Sequence, residues 1–351
     1  MHTQPIPAKK ELMITRITPI EKTSSWQQIL TQSITTADVL YQRLELDRSS
    51  LPGSLAAARD FPVMAPPGFV ARMEKGNPLD PLLLQVIPQA AETSPHPPEF
   101  LSDPVGDGDA SPAPGVIHKY HGRVLLITTA ACAIHCRYCF RRHFPYQKAT
   151  AARDQWHAAI RYIRNNKDID EVILSGGDPL MLNDNRLDTL ISTLENIPHV
   201  TRLRIHSRLP VVLPERITDT LLQRLKQSRL QVLMVIHCNH PAEIDTAVAT
   251  ACNRMRQAEI ELLNQSVLLN GINNRPDVLE NLFKLLFSLR VRPYYLHLLD
   301  KVQGAAHFDI DTDSARRLYR ELCARLPGYM TPHLAREHSG DRSKHILGFR
   351  Q

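Results

Sequence analysis

From residue 123 onward, short apolar stretches alternate with amphipathic helical stretches at intervals of roughly 30 residues, the length of one βαβ unit. The apolar stretches predict strands at Arg123–Thr129, Glu171–Ser175, Arg202–Ser207, Gln231–His237, Leu262–Leu269 and Tyr294–Leu299. The amphipathic stretches predict helices at Asp154–Asn165, Arg186–Glu195, Asp219–Lys226, Pro241–Arg256, Pro276–Leu289 and Ser314–Arg325. Apolar strands that are each followed by a helix are typical of a parallel sheet covered by helices. Six such units predict an α/β fold, a partial (βα)6 TIM-like barrel with functional groups at the carboxyl ends of its strands.

The chain before residue 116 has a different pattern. Helical spacing of apolar residues predicts a helix over Asp38–Leu46 with Thr36 as its N-cap, and another short helix at Pro67–Met73. Further along, a stretch rich in proline, glycine and aspartate predicts a loop or linker. The expected organisation is an N-terminal helical region (1–93), a linker (94–115), the partial barrel (116–327) and a C-terminal segment (328–351).

Composition places the 351-residue chain among ordinary globular proteins, with 43% hydrophobic and 22% charged residues. No run of about 18 apolar residues occurs, so we expect no membrane span. The N-terminus lacks the pattern of a secretory signal, and the six cysteines do not form a secreted disulfide framework, so we expect a cytoplasmic protein. The net charge of +6 does not predict a nucleic-acid partner, because the basic residues are dispersed and only 6% of residues are aromatic.

Three cysteines, Cys132, Cys136 and Cys139, follow the first predicted strand in a C-x3-C-x2-C spacing. A short loop with three thiolates at this spacing can hold three irons of a cubane cluster and leaves the fourth iron open for a chelating ligand. We therefore interpret the loop as a reactive iron–sulfur site. The alternative is a zinc site with His135 or His143 as the fourth ligand, which is less favoured because the remaining cysteines are scattered and form no second pair.

Polar residues also mark the ends of the other predicted strands, where a parallel barrel carries its functional groups. These residues are Ser175-Gly176-Gly177-Asp178-Pro179, Arg204, His206, Arg208, His237-Cys238-Asn239-His240, Asn264, Gln265, Ser266, Asp300 and Lys301. The two glycines would let the backbone approach a ligand closely, although the same residues also suit an ordinary tight turn. Arg204, His206 and Arg208 alternate and point to one face, which is either the barrel interior or a solvated edge strand. Together these groups predict a polar mouth over an apolar barrel.

The cysteine loop and several further motifs together resemble the radical S-adenosylmethionine (SAM) lysine 2,3-aminomutase family. The motifs that carry the resemblance are Cys132–Arg142, Ser175–Leu180, Arg208–Pro214, His240-Pro241, Asn264–Asn270 and Arg292–Leu296. Within the family the chain is most similar to the shorter bacterial branch, which makes (R)-β-lysine for the modification of elongation factor P. The resemblance implies a radical SAM barrel and three cofactors: a [4Fe–4S] cluster, SAM and pyridoxal 5′-phosphate.

The resemblance also implies which residues hold the cofactors. For the cluster it implies three ligands, Cys132, Cys136 and Cys139, and for SAM the turn Gly176-Gly177-Asp178. It also implies that Gln265 binds a cofactor. It implies that Lys344 is the catalytic lysine that binds pyridoxal phosphate, since it follows the Gly328–Pro332 segment at the family's distance. Longer members approach this lysine through glycines, whereas this chain has Ser339–Ser343. By residue pattern alone, Lys344 is a surface lysine near the C-terminus.

A substrate site for an amino acid with a cationic side chain is a further implication of the resemblance. Arg141 would bind the carboxylate of the substrate, since a guanidinium pairs with a carboxylate through two hydrogen bonds. Asp300 and Glu337 would hold the distal ammonium, with Glu337 at a position where the catabolic enzymes have an aspartate. Lys119 and Arg123 match positions that contact pyridoxal phosphate and its neighbours.

On this basis we expect an isomerase that converts (S)-α-lysine into (R)-β-lysine. Its expected partners are L-lysine, elongation factor P with its lysyl ligase, and a reducing electron donor, without nucleic acid or membrane. An aminomutase for free lysine or for another amino acid is the alternative within this class. A radical SAM enzyme that modifies RNA would share the cysteine loop but would not need Lys344. A zinc-bound interaction protein would contain no iron.

Overall fold

The computed structural model describes residues 25–47, 55–146 and 155–348. Within these residues, nine strands form one sheet whose spatial order follows the order of the chain. The strands are β1 (Val116–Tyr120), β2 (Arg123–Thr129), β3 (Glu171–Gly176), β4 (Arg202–Ser207), β5 (Gln231–His237), β6 (Glu261–Leu268), β7 (Arg292–Leu298), β8 (His333–Arg336) and β9 (His345–Ile346). Strands β2 to β8 are parallel, while β1 and β9 each pair antiparallel at an edge. The α/β fold with a mostly parallel sheet is confirmed.

The sheet curls until its two ends meet. Lys119 on β1 forms an ion pair of 2.8 Å with Glu337, the residue directly after β8. The charge of Arg123 on β2 opposes the rise in the pKa of Tyr295 on β7 that burial causes, so these two residues lie near each other. These contacts join strands that are far apart in the order of the sheet, so the strands form the wall of a partial barrel.

The observed boundaries of the buried parallel strands agree closely with those predicted from the sequence. β2, β4 and β5 have the predicted bounds, and β3, β6 and β7 are shifted by one or two residues at an end. β1, β8 and β9 are not predicted. They have five, four and two residues, which is too short for an alternating pattern of apolar and polar positions to identify them.

Helices cover the outer side of the sheet and build the N-terminal region. They are α1 (Trp26–Leu30), α2 (Ala37–Arg43), α3 (Leu55–Asp60), α4 (Pro67–Val70), α5 (Gln155–Asn165), α6 (Asp184–Glu195), α7 (Leu209–Val212), α8 (Asp219–Lys226), α9 (Thr246–Gln257), α10 (Pro276–Ser288) and α11 (Thr312–Arg325). Asp154, the predicted first residue of α5, lies outside the described residues. None of the helices in the described part of the chain is long and apolar enough to span a membrane.

Capping side chains explain where two of these helices begin. Thr36 accepts a hydrogen bond from the amide of Val39 and caps α2, as predicted. The predicted helix Pro241–Arg256 is divided, because Asp245 accepts from the amide of Val248 at 2.9 Å and starts α9 at Thr246. The predicted helix Pro67–Met73 is shorter in the structure and ends at Val70.

The two faces of the sheet differ in polarity, since side chains alternate along each strand. On β4, Leu203 and Ile205 are fully buried in the apolar core under the helices. Arg204 and His206, which alternate with them, face the inside of the barrel. β4 pairs with a strand on both sides, so the edge-strand alternative for these residues is wrong. Arg204 is paired with Glu171 of β3 at 2.8 Å, and the interior is therefore polar, not apolar as predicted.

Candidate active site

The cysteine loop follows β2 at the carboxyl end of the sheet, and its three thiols are half-buried. Burial raises the pKa of Cys139 to about 11, and the neighbouring thiol of Cys136 adds to this rise. Burial and both other thiols also raise the pKa of Cys132. Arg208, the residue after β4, donates a hydrogen bond from Nη1 to Sγ of Cys136. Three thiols that raise one another's pKa, with a cationic donor at one of them, are a set of donors that suits an iron–sulfur cluster.

Arg137 fixes the cysteine loop to the N-terminal helical region. Its side chain is fully buried and donates to both carboxylate oxygens of Glu92, at 2.9 and 2.5 Å. Its backbone amide donates to the carbonyl of Gln85 at 2.9 Å, and Arg142 brings a second guanidinium to Glu92 at 3.1 Å. The sequence assigns no chemistry to residues 1–93, yet the described residues between 57 and 92 form one wall of the cysteine loop.

The two histidines that flank the cysteines contact other segments. Nδ1 of His135 lies 2.8 Å from the carbonyl oxygen of Pro62, and the ring stacks on Phe61 with centroids 5.0 Å apart. Nε2 of His143 lies 3.2 Å from the carbonyl oxygen of Gln303. Each contact engages only one ring nitrogen, and a metal-bound histidine commonly donates its other nitrogen to a carbonyl in this way, so the two rings are equally compatible with the iron and the zinc interpretation.

The glycine turn after β3 lies directly against the start of the cysteine loop. Gly176 has a φ of +119°, and a Cβ atom there would lie 2.7 Å from the carbonyl oxygen of Thr129. A Cβ atom on Gly177 would lie 2.7 Å from the carbonyl carbon of Ala130. Both glycines therefore serve the close approach of two backbone segments. A contact between this turn and a ligand remains a prediction.

Asp178 ties the end of β3 to the end of β4. Its Oδ1 accepts from the hydroxyl of Ser207 at 2.7 Å and from the amide of Leu180 at 3.0 Å, and its Oδ2 accepts from the amide of Arg208 at 2.7 Å. Burial raises the pKa of Asp178 to about 6, and these hydrogen bonds oppose the rise. Both carboxylate oxygens are therefore engaged within the chain, and a contact between Asp178 and SAM remains a prediction.

Five charged residues form a continuous network across the gap between β1 and β8, which we call the seam network: Arg141, Asp107, Lys119, Glu337 and Lys344. Arg141 Nε donates to one oxygen of Asp107 at 2.8 Å, and Lys119 Nζ pairs with the other at 2.6 Å. Lys119 also donates to Glu337 at 2.8 Å, and the second oxygen of Glu337 pairs with Lys344. Burial raises the pKa of Glu337, but the two lysines outweigh it and lower the pKa to about 2. Four members are predicted site residues, and Asp107 is the fifth.

Asp300 lies beside the seam network, two residues after β7. Burial raises the pKa of Asp300 to about 7, while the charge of Lys344 lowers it and that of Glu337 raises it. Its carboxylate has no hydrogen bond or ion pair with any described residue. A half-buried carboxylate without its own hydrogen-bonded cation is a suitable site for an ammonium group brought by a ligand.

Uncharged histidines line the inner face of the barrel near Lys344. Nε2 of His206 is buried and has no hydrogen-bond partner among the described residues. Burial and the charges of Arg204 and Lys344 lower the pKa of His206 well below its ordinary value. Burial also lowers the pKa of His237 to about 3. An unpaired ring nitrogen beside a lysine leaves a place for a ligand with hydrogen-bonding groups, and pyridoxal phosphate has such groups.

Arg123 and Gln265 occupy other positions around the barrel. The guanidinium of Arg123 lies over the ring of Tyr120, 4.8 Å from its centroid. Gln265 is on β6, in register with His237 on β5 and Tyr295 on β7. Their roles in cofactor binding remain predictions.

Asp107 and Glu92 are candidate site residues that the sequence analysis missed. Asp107 holds Arg141, and Glu92 holds Arg142, at 2.8 and 3.1 Å. The sequence feature that could have indicated these two acids is the Arg141-Arg142 pair. Two arginines directly after a buried cysteine loop require acidic partners, because an unpaired buried charge is strongly unfavourable.

Residues 126–276, which include the cysteine loop and the strands from β3 to β6, match the sequence profile of the Radical SAM superfamily, so the partial barrel is that of a radical SAM protein. An L-lysine 2,3-aminomutase from Escherichia coli (strain K12) is 46% identical over 320 residues, which cover 91% of this chain and 93% of that protein. An L-lysine 2,3-aminomutase from Haemophilus influenzae is 45% identical over 325 residues, 93% of this chain and 96% of that protein. The chain belongs to the L-lysine 2,3-aminomutase family.

Among solved structures, a radical SAM methyltransferase from Sphaerobacter thermophilus aligns with 63% of this chain and 68% of its own chain, at 18% identity and a TM-score of 0.44. Membership in the aminomutase family implies a [4Fe–4S] cluster, SAM and pyridoxal phosphate. The chain offers groups that fit them: three neighbouring thiols for the cluster, and Lys344 beside the uncharged His206 for pyridoxal phosphate.

Proposed function

We propose that this chain converts (S)-α-lysine into (R)-β-lysine by moving the amino group from the α-carbon to the β-carbon. The observation that carries the proposal is the convergence of Lys344, Arg141, Asp300 and Glu337 on one polar barrel interior beside the cysteine loop. An amino acid with a cationic side chain needs a guanidinium at one end and carboxylates at the other. The two relatives named L-lysine 2,3-aminomutase, which align with more than nine-tenths of the chain, give independent support.

The cluster, SAM and pyridoxal phosphate would supply the radical chemistry and hold the migrating nitrogen. The residues proposed to bind the cluster and SAM are Cys132, Cys136, Cys139, Gly176, Gly177, Asp178 and Gln265. Lys344 would bind pyridoxal phosphate, and Lys119 and Arg123 would contact it. The ion pair between Lys119 and Glu337 supports a position for the cofactor next to the seam network.

Arg141 would bind the carboxylate of lysine, and Asp300 with Glu337 would bind its distal ammonium. Charged groups at both ends would hold the substrate in one direction, so that one C–H bond faces the radical chemistry. Glu337 pairs with Lys344 in the structure. Once Lys344 is joined to the cofactor, its ammonium no longer occupies Glu337. The Glu337 carboxylate can then pair with the distal ammonium of the incoming substrate.

The experiment that tests the proposal is anaerobic reconstitution with iron and sulfide, followed by incubation with L-lysine, SAM, pyridoxal phosphate and a reductant. Mass spectrometry with chiral separation should detect (R)-β-lysine only when all components are present. The Cys136→Ala variant should form none, whereas Cys323→Ala, which removes a cysteine outside the loop, should retain activity. Rearrangement of another amino acid instead of lysine would refute the substrate assignment. Modification of RNA with lysine left unchanged would refute the enzyme class.

A cellular role in the modification of elongation factor P is the finer part of the proposal. The resemblance to the shorter bacterial branch supports it, with a lysyl ligase as the next enzyme, a reducing electron donor and a location in the cytoplasm. Elongation factor P purified from cells that contain the ligase should carry β-lysine, separated by chromatography from α-lysine of the same mass, only when the chain is also expressed. Unmodified factor in both samples would assign the product to another use, such as free β-lysine.

A further inference from the structure

We propose that Asp107 is a positioning residue that orients Arg141 toward the carboxylate of the substrate. This inference rests on the proposed function, because it concerns the end of the substrate that Arg141 would bind. Asp107 belongs to the loop at residues 94–115, to which the sequence assigned no role in the site.

The contacts of Arg141 leave one part of its guanidinium free. Its Nε donates to Oδ2 of Asp107 at 2.8 Å, and its Nη1 donates to the hydroxyl of Ser175 at 3.2 Å. Nη2 makes no hydrogen bond with the described residues. Since Asp107 holds the Nε side, the Nη1–Nη2 edge is the edge left for a two-pronged contact with a carboxylate. Asp107 therefore determines which edge of the guanidinium a ligand meets.

The charges of the seam network explain why Asp107 does not cancel Arg141. A single carboxylate beside a guanidinium would neutralise it and weaken its attraction for a second carboxylate. Asp107 shares its charge with Lys119, whose Nζ lies 2.6 Å from the other oxygen. Across the whole seam network three cations face two carboxylates, so one positive charge remains available to an anionic ligand.

The surrounding loop fixes the carboxylate of Asp107 in place. The side chain of Asp107 is only 3% exposed, and its backbone amide donates to Asp103 at 3.0 Å. Lys119 is held as well, because its Nζ donates to the carbonyl of Val105 at 2.8 Å. Next to Asp107, Gly106 packs so closely on Ser339 that an added Cβ atom would lie 3.0 Å from the Cβ of Ser339. A rigid carboxylate of this kind can aim a side chain, which a mobile surface acid cannot.

The test compares a ligand that has a carboxylate with one that lacks it. Dissociation constants of L-lysine and of cadaverine, which is lysine without its carboxylate, are measured by calorimetry on protein loaded with pyridoxal phosphate but without SAM. We expect Asp107→Asn to weaken the binding of lysine by about tenfold or more, because a misplaced guanidinium loses much of its contact, and to change cadaverine by less than twofold. Asp109→Asn is the matched control, since Asp109 is an exposed acid of the same loop. It should leave both ligands unaffected.

A second variant covers the possibility that Asp107→Asn does not fold. Asp107→Glu keeps both ion pairs but displaces the carboxylate by one methylene. It should therefore also weaken the binding of lysine and leave the binding of cadaverine nearly unchanged. Equal weakening of lysine and cadaverine in the folded variant, or no weakening of either, would refute the positioning role. If the wild-type protein itself fails to bind or rearrange lysine, the proposed function is wrong, which separates that failure from a failure of the Asp107 inference.

Discussion

Lys344 and Glu337 form an ion pair inside the barrel. The carboxylate of Glu337, which is proposed to bind the distal ammonium of a ligand, is therefore already paired with the ammonium of Lys344. Glu337 also pairs with Lys119 at 2.8 Å, so both of its oxygens are engaged. A cationic ligand must replace Lys344 at this carboxylate. The loss of the Lys344 charge on cofactor binding would therefore prepare the site for lysine.

The first prediction follows from this replacement and concerns the protein without pyridoxal phosphate. Lys344→Gln removes the internal ammonium, so the cofactor-free variant should bind L-lysine about tenfold more tightly than the cofactor-free wild type, the range of one charge-assisted hydrogen bond. Norleucine, which has no distal ammonium, should bind equally to both proteins. Calorimetry measures these affinities. Equal or weaker binding of lysine by the variant would contradict the idea that Lys344 occupies the site of the ligand.

The second prediction concerns pH and Asp300. Burial raises the pKa of Asp300 to about 7, so the carboxyl is mostly protonated and neutral at pH 6. A bound ammonium favours the ionised form and lowers the pKa, and binding of lysine at pH 6 should therefore release a proton from Asp300. At pH 9 the carboxylate is already ionised and releases none. The affinity for lysine should accordingly fall as the pH decreases below 7.

Calorimetry in buffers of different ionisation enthalpy measures the number of protons released. Norleucine serves as the matched ligand, because it shares the α-amino and carboxyl groups of lysine but not the ammonium that Asp300 would meet. Lysine should release more protons than norleucine, and this difference should disappear in Asp300→Asn. An unchanged difference in the variant would mean that another group releases the proton and that Asp300 does not bind the ammonium.

The sequence predicts the parts of the fold that depend on local pattern. β2, β4 and β5 are recognised to the residue, because strands buried in the middle of a parallel sheet are almost continuously apolar. β8 and β9 are not recognised, since β8 is placed by its pairing with β7 and β9 by its pairing with β8, and not by their own residues. Short strands that close a barrel are specified by the rest of the sheet.

The candidate site shows the same division. The cysteine loop is evident from spacing alone, whereas Lys344 has no distinguishing pattern and is singled out only through the family resemblance. Asp107 and Glu92 are separated from their arginine partners by 34 and 50 residues. No periodicity links such positions. The folded chain is needed to show that one loop and one short turn supply the acids for the arginines after the cysteines.

The third prediction concerns the attachment of the cysteine loop to the N-terminal region. Glu92→Gln leaves the fully buried Arg137 and the neighbouring Arg142 without their carboxylate. Breaking a buried ion pair by removing one partner costs about 3–5 kcal/mol, so the free energy of unfolding should decrease by an amount in that range. The cysteine loop should also retain less iron after reconstitution.

Chemical denaturation and iron analysis of the same samples measure the two effects. Glu99→Gln is the control, because Glu99 is an exposed acid whose pairing with Lys301 lies at the surface. It should leave both quantities unchanged. Full iron content together with normal stability in Glu92→Gln would show that the N-terminal region is not needed to hold the loop.

The fourth prediction concerns the glycine turn. Gly177→Ala would place a Cβ atom 2.7 Å from the carbonyl carbon of Ala130, so either β3 or the cysteine loop must move. Backbone atoms cannot give way as the end of a flexible side chain can, and the variant should lose about 1–3 kcal/mol of stability. Because the displaced segment leads into Cys132, the iron content after reconstitution should fall as well. Gly68→Ala is the matched control, since a Cβ atom at Gly68 meets nothing within 4 Å. Full iron content together with unchanged stability in Gly177→Ala would show that the approach of the two backbone segments does not require a glycine here.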